Sequence, residues 1–481
     1  MNIVFFSASS SYVHTLLAPR YLVSNCPYPI DIIETNVNVK LEDNVNKILS
    51  FSPDIVCFSC YIFNIKYVRE VVKTLKSLRP DITIIMGGYE VAFNTDYYLT
   101  YADYIIKGEG DFGFGLLIDD IVNKRFSYPQ VIDFGTVNNL DDIISPYADE
   151  YLSLGENNHI IYMETSRGCP YSCSYCMSAN TKRVRAFSLD RVKEDLARLL
   201  NYDIPLVKLV DRTFNYNVKR ASEILSFIID NFSDRNTRFH FEMSPELFNE
   251  ELFTVISRAK KSLFQFEIGV QSYNEKTLEA VKRKAHASVI EYNISRLLSY
   301  GNVHIHVDLI AGLPYENLPS FIEGFDRLYL QKAHCLQLGF LKILKGSLIE
   351  KEDRDYVISP VPPYEIISSP DMSSDDLAKL KIVEKSLNQY ANSGRFSRTM
   401  DYLIPKFFTP YEFFLALGNF IKNTDRYSVN FSSSRQCDAL FEFLSTRLNE
   451  SDLNEAEKLI YLDFVNAGNV RKWHKWLKID G

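Results

Sequence analysis

Residues 164–176 read ETSRGCPYSCSYC and hold three of the eight cysteines in the chain. Cys169, Cys173 and Cys176 are spaced C-x3-C-x2-C, with Arg167 and Gly168 in front and Tyr175 just before the last sulfur. Gly168 and Pro170 disfavour a helix here, so the triplet reads as a loop that can wrap its thiols around one centre. A structural zinc site wants four ligands. No fourth lies close by, since His159 precedes the segment and the next histidine is His240. A ferredoxin-type cluster also wants four cysteines. Three thiolates would fill three iron sites of a 4Fe-4S cluster and leave the fourth iron open to a substrate or cosubstrate.

The rest of the chain sets the context for those thiols. The N-terminus MNIVFFSASSSYVH lacks the charged segment of a secretory leader. No run of about 18 apolar residues suggests a membrane span. A cytoplasmic location is therefore expected, where thiols stay reduced and metal ligation is a better reading than a disulfide. The net charge of −8 argues against nucleic acid or an anionic membrane as a general partner. Cys57 and Cys60 lie in the apolar run VCFSCYIF and read as core packing.

A length of 481 residues calls for two or three domains. Residues 1–135 alternate apolar strand candidates (NIVFFS, IDIIET, DIVCFSC, ITIIMGG, YIIKGEG) with amphipathic helices, the pattern of a Rossmann-like doubly wound parallel sheet. Ligands of such α/β domains bind beyond the carboxyl ends of the strands. Those ends are polar or glycine-rich: Ser11, Tyr12 and His14 after the first, Ser59 and Tyr61 after the third, Gly87, Gly88 and Glu90 after the fourth, and Gly108, Glu109 and Gly110 after the fifth. No GxGxxG follows the first strand, so an ordinary dinucleotide site is not expected. Residues 136–158 lose periodicity and read as a linker. Over residues 159–345, six strand candidates alternate with helices, as in a (βα)6 partial TIM barrel whose chemistry sits at the strand ends. Residues 346–481 read as a mainly helical domain, with Phe407, Phe408, Tyr411, Phe413 and Phe414 as core.

The cysteine loop, with its aromatic before the third sulfur and its place after the first barrel strand, resembles that of the radical S-adenosylmethionine (SAM) enzymes. The resemblance implies that Cys169, Cys173 and Cys176 hold a 4Fe-4S cluster whose open iron chelates the amino and carboxylate groups of SAM. Reductive cleavage would then give a 5′-deoxyadenosyl radical that abstracts a substrate hydrogen. It also implies SAM contacts at Tyr175, at Gln271 in GVQS and at Gly312 in IAGLP. Family members often bind the SAM amino group through a GGE stretch after the second strand. VDRTFN stands there instead, with Asp211 and Thr213 as candidates. Glu242, ending the third strand, is a candidate for the ribose or methionine part, or else a strand-end salt bridge.

A Rossmann-like domain ahead of such a barrel is similar to the cobalamin-binding subclass. That likeness implies that the strand-end residues from Ser11 to Gly110 named above contact cobalamin. The DxHxxG motif that supplies histidine to cobalt is absent, so His14 is expected to hydrogen-bond near the corrin or to serve the fold. The subclass implies methyl transfer from methylcobalamin to carbon, with cyclisation or rearrangement without methylation as the alternative. A methylthiotransferase-like enzyme with a second cluster on Cys26, Cys57 and Cys60, and a non-catalytic iron–sulfur sensor, are further readings. The expected partners are a reductant such as flavodoxin or ferredoxin and a small-molecule or peptide substrate. The C-terminal PPYEIISSP…NQYANSGRF resembles the helical extension of one branch of the subclass.

Overall fold

The computed structural model describes residues 1–181, 183–424 and 432–468. Strands β1 (Ile3–Ser9), β2 (Asp31–Asn36), β3 (Ile55–Ser59), β4 (Thr83–Gly87), β5 (Tyr104–Lys107) and β6 (Val131–Asp133) form one parallel sheet in the order β2-β1-β3-β4-β5-β6. The winding reverses between β1 and β3, which opens a crevice at their carboxyl ends. β1 is buried along its whole length because helices cover both faces. Alternate side chains feed two cores. Val4, Phe6 and Val56 pack on one side, while Ile3, Phe5 and Cys57 pack on the other. β6 was not expected. It is three residues long, too short to show a period of two.

The second sheet begins with β7 (Ile161–Met163). A short ribbon follows, β8 (Ser166–Arg167) antiparallel to β9 (Arg185–Ala186), and it closes the neck of the cysteine loop. Then come β10 (Leu206–Leu209), β11 (Arg238–Met243), β12 (Phe264–Gln271), β13 (His304–Ala311) and β14 (Cys335–Phe340). β7 and these five pair in parallel in sequence order, an open six-stranded arc with crossover helices. Phe264, Phe266, Ile268, Ile305, Val307 and Leu309 pack outward under the helices, and the residues between them line the lumen.

The stretch 136–158 is more ordered than a linker. It carries the helix Asp149–Glu156, and Tyr147 and Tyr151 sink into the barrel core with their rings 6.3 Å apart. Its many Asn, Asp and Ser residues hide this pair of aromatics, one before the helix and one in its first turn. Beyond the barrel, an antiparallel pair β15 (Val357–Ile358) and β16 (Ile366–Ser368) precedes a helical region. The helix Ser374–Tyr390 starts at a capping box formed by Ser373 and Asp376. Tyr411, Phe413 and Phe414 are core, as expected, but Phe408 is 92% exposed. It precedes the Thr409 cap of the helix Pro410–Asn423 and points off the core stripe. The helical expectation for 425–431 and 469–481 lies outside the described residues. Among the described residues, no helix is long and apolar enough to cross a membrane.

Candidate active site

The cysteine loop leaves the carboxyl end of β7 and is stitched to its surroundings through backbone. Ser174 N donates to Val281 O at 3.0 Å, Ile349 N donates to Ser174 O at 2.8 Å, and Cys176 N donates to Cys173 O at 3.0 Å. Gly168 has φ +95°, and a Cβ there would stand 2.4 Å from Arg183 O, so only glycine lets the two sides of the neck meet. Asp211 is buried and spent on the start of the loop. Its carboxylate accepts Thr165 N at 2.9 Å and the Thr165 and Ser166 hydroxyls at 2.6 Å each. Burial pushes the Asp211 carboxyl up, and these bonds oppose the shift. Thr213 Oγ1 lies 3.4 Å from Cys169 Sγ. All three cysteines are free thiols. Burial pushes the Cys173 thiol up, and the neighbouring Arg283 guanidinium pulls it down. Tyr175 packs against the barrel core beside Cys173.

Below the loop the lumen is strongly polar. Lys208, His240, Gln265, Glu267, His304 and His306 occupy alternate positions on neighbouring strands. Glu267 accepts His240 Nε2 at 2.9 Å and lies 3.6 Å from Lys208 Nζ. The His240 bond leads in lowering its pKa to about 2. Burial, with like charges adding, brings His304 and His306 down to about 4. Nearer the cysteines the pairing ends. Glu242 makes no hydrogen bond or ion pair among the described residues, and burial pushes its carboxyl up against the opposing charge of Arg212. Asp308 has a buried Oδ1 with no donor, and Arg283 a buried Nε with no acceptor. Gln271 stands after a bulge in β12 at φ +72°, a strained conformation of the kind that gathers at functional sites. Gly312 directly follows β13. Asp308 and Arg283 escaped the sequence reading. A carboxylate in step with His304 and His306 on the polar side of VHIHVDLIAG was the available signal for Asp308; Arg283, in VKRKAH, gave none.

The carboxyl edge of the first sheet faces this mouth. After β1, Ser11 O accepts His14 N at 3.2 Å, and His14 Nδ1 is 2.6 Å from the Tyr162 hydroxyl of β7. Tyr12 is 67% exposed beside the His159 ring. After β3, Ser59 pairs with Ser7 at 3.0 Å, and Tyr61 stacks on Phe63 at 5.3 Å. After β4, Gly87 O accepts Cys60 N at 2.7 Å. Gly88 turns at φ +112°, where a Cβ would meet Cys60 O at 2.4 Å. Glu90 accepts the Tyr98 hydroxyl at 2.9 Å and that of Tyr364 at 2.5 Å. After β5, Gly108 packs on the Gly135 backbone, Gly110 O accepts Phe114 N at 2.8 Å, and Glu109 turns toward the barrel. Tyr12, Phe63, Tyr89 and Phe112 leave an exposed aromatic rim along this edge.

Comparison with known proteins places these two halves. The radical SAM superfamily matches residues 163–328, the B12 binding domain matches residues 22–117, and a protein family of unknown function, DUF4080, matches residues 352–480. The chain carries a radical SAM domain beside a B12-binding domain. It is 24% identical over 367 residues to the cobalamin-dependent radical SAM methyltransferase TokK of Streptomyces tokunonensis, covering 69% of this chain and 53% of that one. It is 29% identical over 204 residues to the hopanoid C-3 methylase of Methylococcus capsulatus, covering 38% of this chain and 39% of that one. The chain thus spans about half the length of the first of these curated relatives, and less of the second. In fold it is similar to the cobalamin-dependent SAM radical enzyme OxsB, with a TM-score of 0.65 and 14% identity over 98% of this chain and 82% of that one. It is also similar to the radical SAM methyltransferase TsrM from Kitasatospora setae, with a TM-score of 0.58 and 16% identity over 73% and 76%.

The residues of this chain suit the groups its two matched domains imply. Among the described residues, no three His, Cys, Asp or Glu side chains converge closely enough for a single metal ion. A multi-iron cluster holds its ligand sulfurs further apart than one ion does, and three uncrosslinked thiols on one loop are the donor set it needs. Arg283 and Asp308 offer a buried cation and a buried acceptor at the same mouth, with the Arg283 Nε and the Asp308 Oδ1 unpaired. The aromatic rim on the facing edge suits a broad, flat ligand. Cys57 and Cys60 are buried on opposite faces of the first sheet, so with Cys26 they do not make a second cluster site.

Proposed function

We propose that the protein is a cobalamin-dependent radical SAM enzyme that methylates a carbon of a small-molecule substrate. The observation that carries this reading is the placement of a three-thiol loop, open on one side, between a polar barrel lumen and the carboxyl edge of a B12-binding sheet. Cys169, Cys173 and Cys176 hold the cluster, while Thr213 and Tyr175 line its loop. Arg283 meets the SAM carboxylate. Asp308 and Gln271 accept and donate to its hydroxyls, and Gly312, whose missing side chain makes room for Ile366, turns the backbone at the end of β13 beside the adenine. Glu242 stands free at the mouth as an acceptor for SAM or substrate, and Asp211 positions the loop. When bound, the cluster and SAM supply a carbon-centred oxidant, and cobalamin supplies the methyl group. The chain's part is to orient these groups and exclude water. Residues 1–135 form the cobalamin-binding domain, with Tyr12, Tyr61 and the loops after β4 and β5 around the corrin. Residues 136–158 connect it to the radical SAM barrel of 159–345, and 346–481 are the C-terminal domain, whose described helices pack over the barrel edge. A flavodoxin or ferredoxin in the cytoplasm delivers the electron. Cyclisation without methylation uses the same site and is separated from methylation by product mass. The buried positions of Cys57 and Cys60 disfavour the two-cluster alternative.

The test is anaerobic reconstitution of the whole chain. The expected result is about four irons per chain, one cobalamin bound, and 5′-deoxyadenosine formed from SAM on reduction. 5′-Deoxyadenosine no higher than in Cys173→Ala overturns the enzyme reading. About eight irons without cobalt points to the two-cluster class.

A further inference from the structure

The loop 107–111 sends both of its carboxylates into the barrel. Asp111, 4% exposed, accepts Arg167 Nη1 at 2.7 Å and Nη2 at 3.0 Å. The same guanidinium reaches Glu164 Oε1 through Nε at 2.9 Å and Nη2 at 2.7 Å, and lies 5.1 Å from the Tyr21 ring centre. Glu109 accepts Arg185 Nη1 at 2.8 Å, a second bond from Arg185 Nη2, and Val137 N at 2.9 Å. Arg167 and Arg185 are register partners across the β8–β9 ribbon, and Arg167 stands two residues before Cys169. Two forked arginines at the neck of the ligand loop are thus each gripped on two oxygens by the other domain. A bidentate grip fixes direction as well as distance, which a lone interface charge pair does not.

We propose that Glu109 and Asp111 are positioning residues for the cysteine loop. Through Arg185 and Arg167, the B12-binding domain sets the orientation and electrostatic surroundings of the thiolates. SAM cleavage in the barrel then depends on a loop of the neighbouring domain. This rests on the functional reading above and adds, to the loop's place beside the corrin, a task for its two carboxylates toward the cluster.

Asp111→Asn, Arg167→Lys and the double variant are compared with the wild type as reconstituted whole chains. Four quantities are read: iron per chain, cobalamin binding by absorbance, the EPR spectrum of the reduced cluster with and without SAM, and 5′-deoxyadenosine formation. Asp111→Asn is expected to keep iron and cobalamin binding, to lose the SAM-dependent EPR change, and to slow SAM cleavage by at least ~10-fold, as a small misplacement of reacting groups does. Arg167→Lys keeps the charge but loses the fork, and should show the same defect. The double variant should be no worse than the worse single one, because the pair acts as a unit. Wild-type EPR and cleavage in Asp111→Asn overturn the proposal, as does a loss confined to cobalamin binding. If Asp111→Asn fails to hold iron, wild-type behaviour of Arg167→Lys overturns it. A wild-type chain that never cleaves SAM overturns the functional reading, while the EPR comparison still decides this one.

Discussion

Cys173 and Cys335 differ by position, not by type. Cys173 sits on the loop above the lumen beside Arg283; Cys335 begins β14 in the lumen wall, and burial pushes its thiol up to about 11. Cys173→Ala should lose cluster iron and SAM cleavage, and Cys335→Ala should keep both, as read by iron content and 5′-deoxyadenosine. Gly87 and Gly88 make a similar contrast. A Cβ on Gly87 would meet its neighbours at an ordinary 3.7 Å, whereas one on Gly88 would sit 2.4 Å from Cys60 O in a left-handed backbone. Gly88→Ala should therefore destabilise by more than about 2 kcal/mol and Gly87→Ala by about 1 kcal/mol or less, measured by unfolding midpoints. The glycine pair was visible in the sequence; which of the two is obligatory was not.

At the scale of elements, the loops after β12 and β13 are joined by one buried contact. Ser272 Oγ donates to Glu316 Oε1 at 2.5 Å, and Glu316 Oε2 has no partner. Burial raises the Glu316 pKa to about 7, with Ser272 opposing. A carboxyl raised in the folded state adds stability at low pH that is lost as pH climbs through its folded pKa. Through this group the wild type should thus lose stability between about pH 4.5 and 7, by about 3 kcal/mol if the whole shift is expressed. Glu316→Gln should remove that contribution, seen as an unfolding midpoint that falls less steeply than the wild type's over the same window. The long strands and helices were legible from sequence because their apolar periods run for many residues. The three-residue β6 and the two-residue β8 and β9 were not, because pairing rather than local pattern makes them strands.

Across the whole molecule, the segment after the barrel reaches back to the first sheet. Tyr364, between β15 and β16, hydrogen-bonds Glu90 at 2.5 Å. Burial raises the Glu90 carboxyl, and the phenols of Tyr364 and Tyr98 pull it back. Tyr364→Phe should cost about 1–2 kcal/mol and raise hydrogen exchange in 357–368, with the barrel strands unchanged. Unaltered exchange there would mean that the contact adds nothing to docking.

The sequence by itself determined the chemistry on offer and the two α/β halves. Cysteine spacing and strand and helix periods are local properties that need no partner to be read. Only the tertiary structure decided which polar groups stay available. Asp211 and Glu109 look like ligand-facing residues in a linear chain, yet their carboxylates are occupied by Ser166, Thr165 and Arg185, the last lying 76 residues from Glu109. Asp308 and Arg283 gave little or no sign in the sequence and come together at the mouth with unpaired buried atoms. A polar atom is spent or spare according to what long-range packing brings within hydrogen-bond reach, and residue type does not encode that.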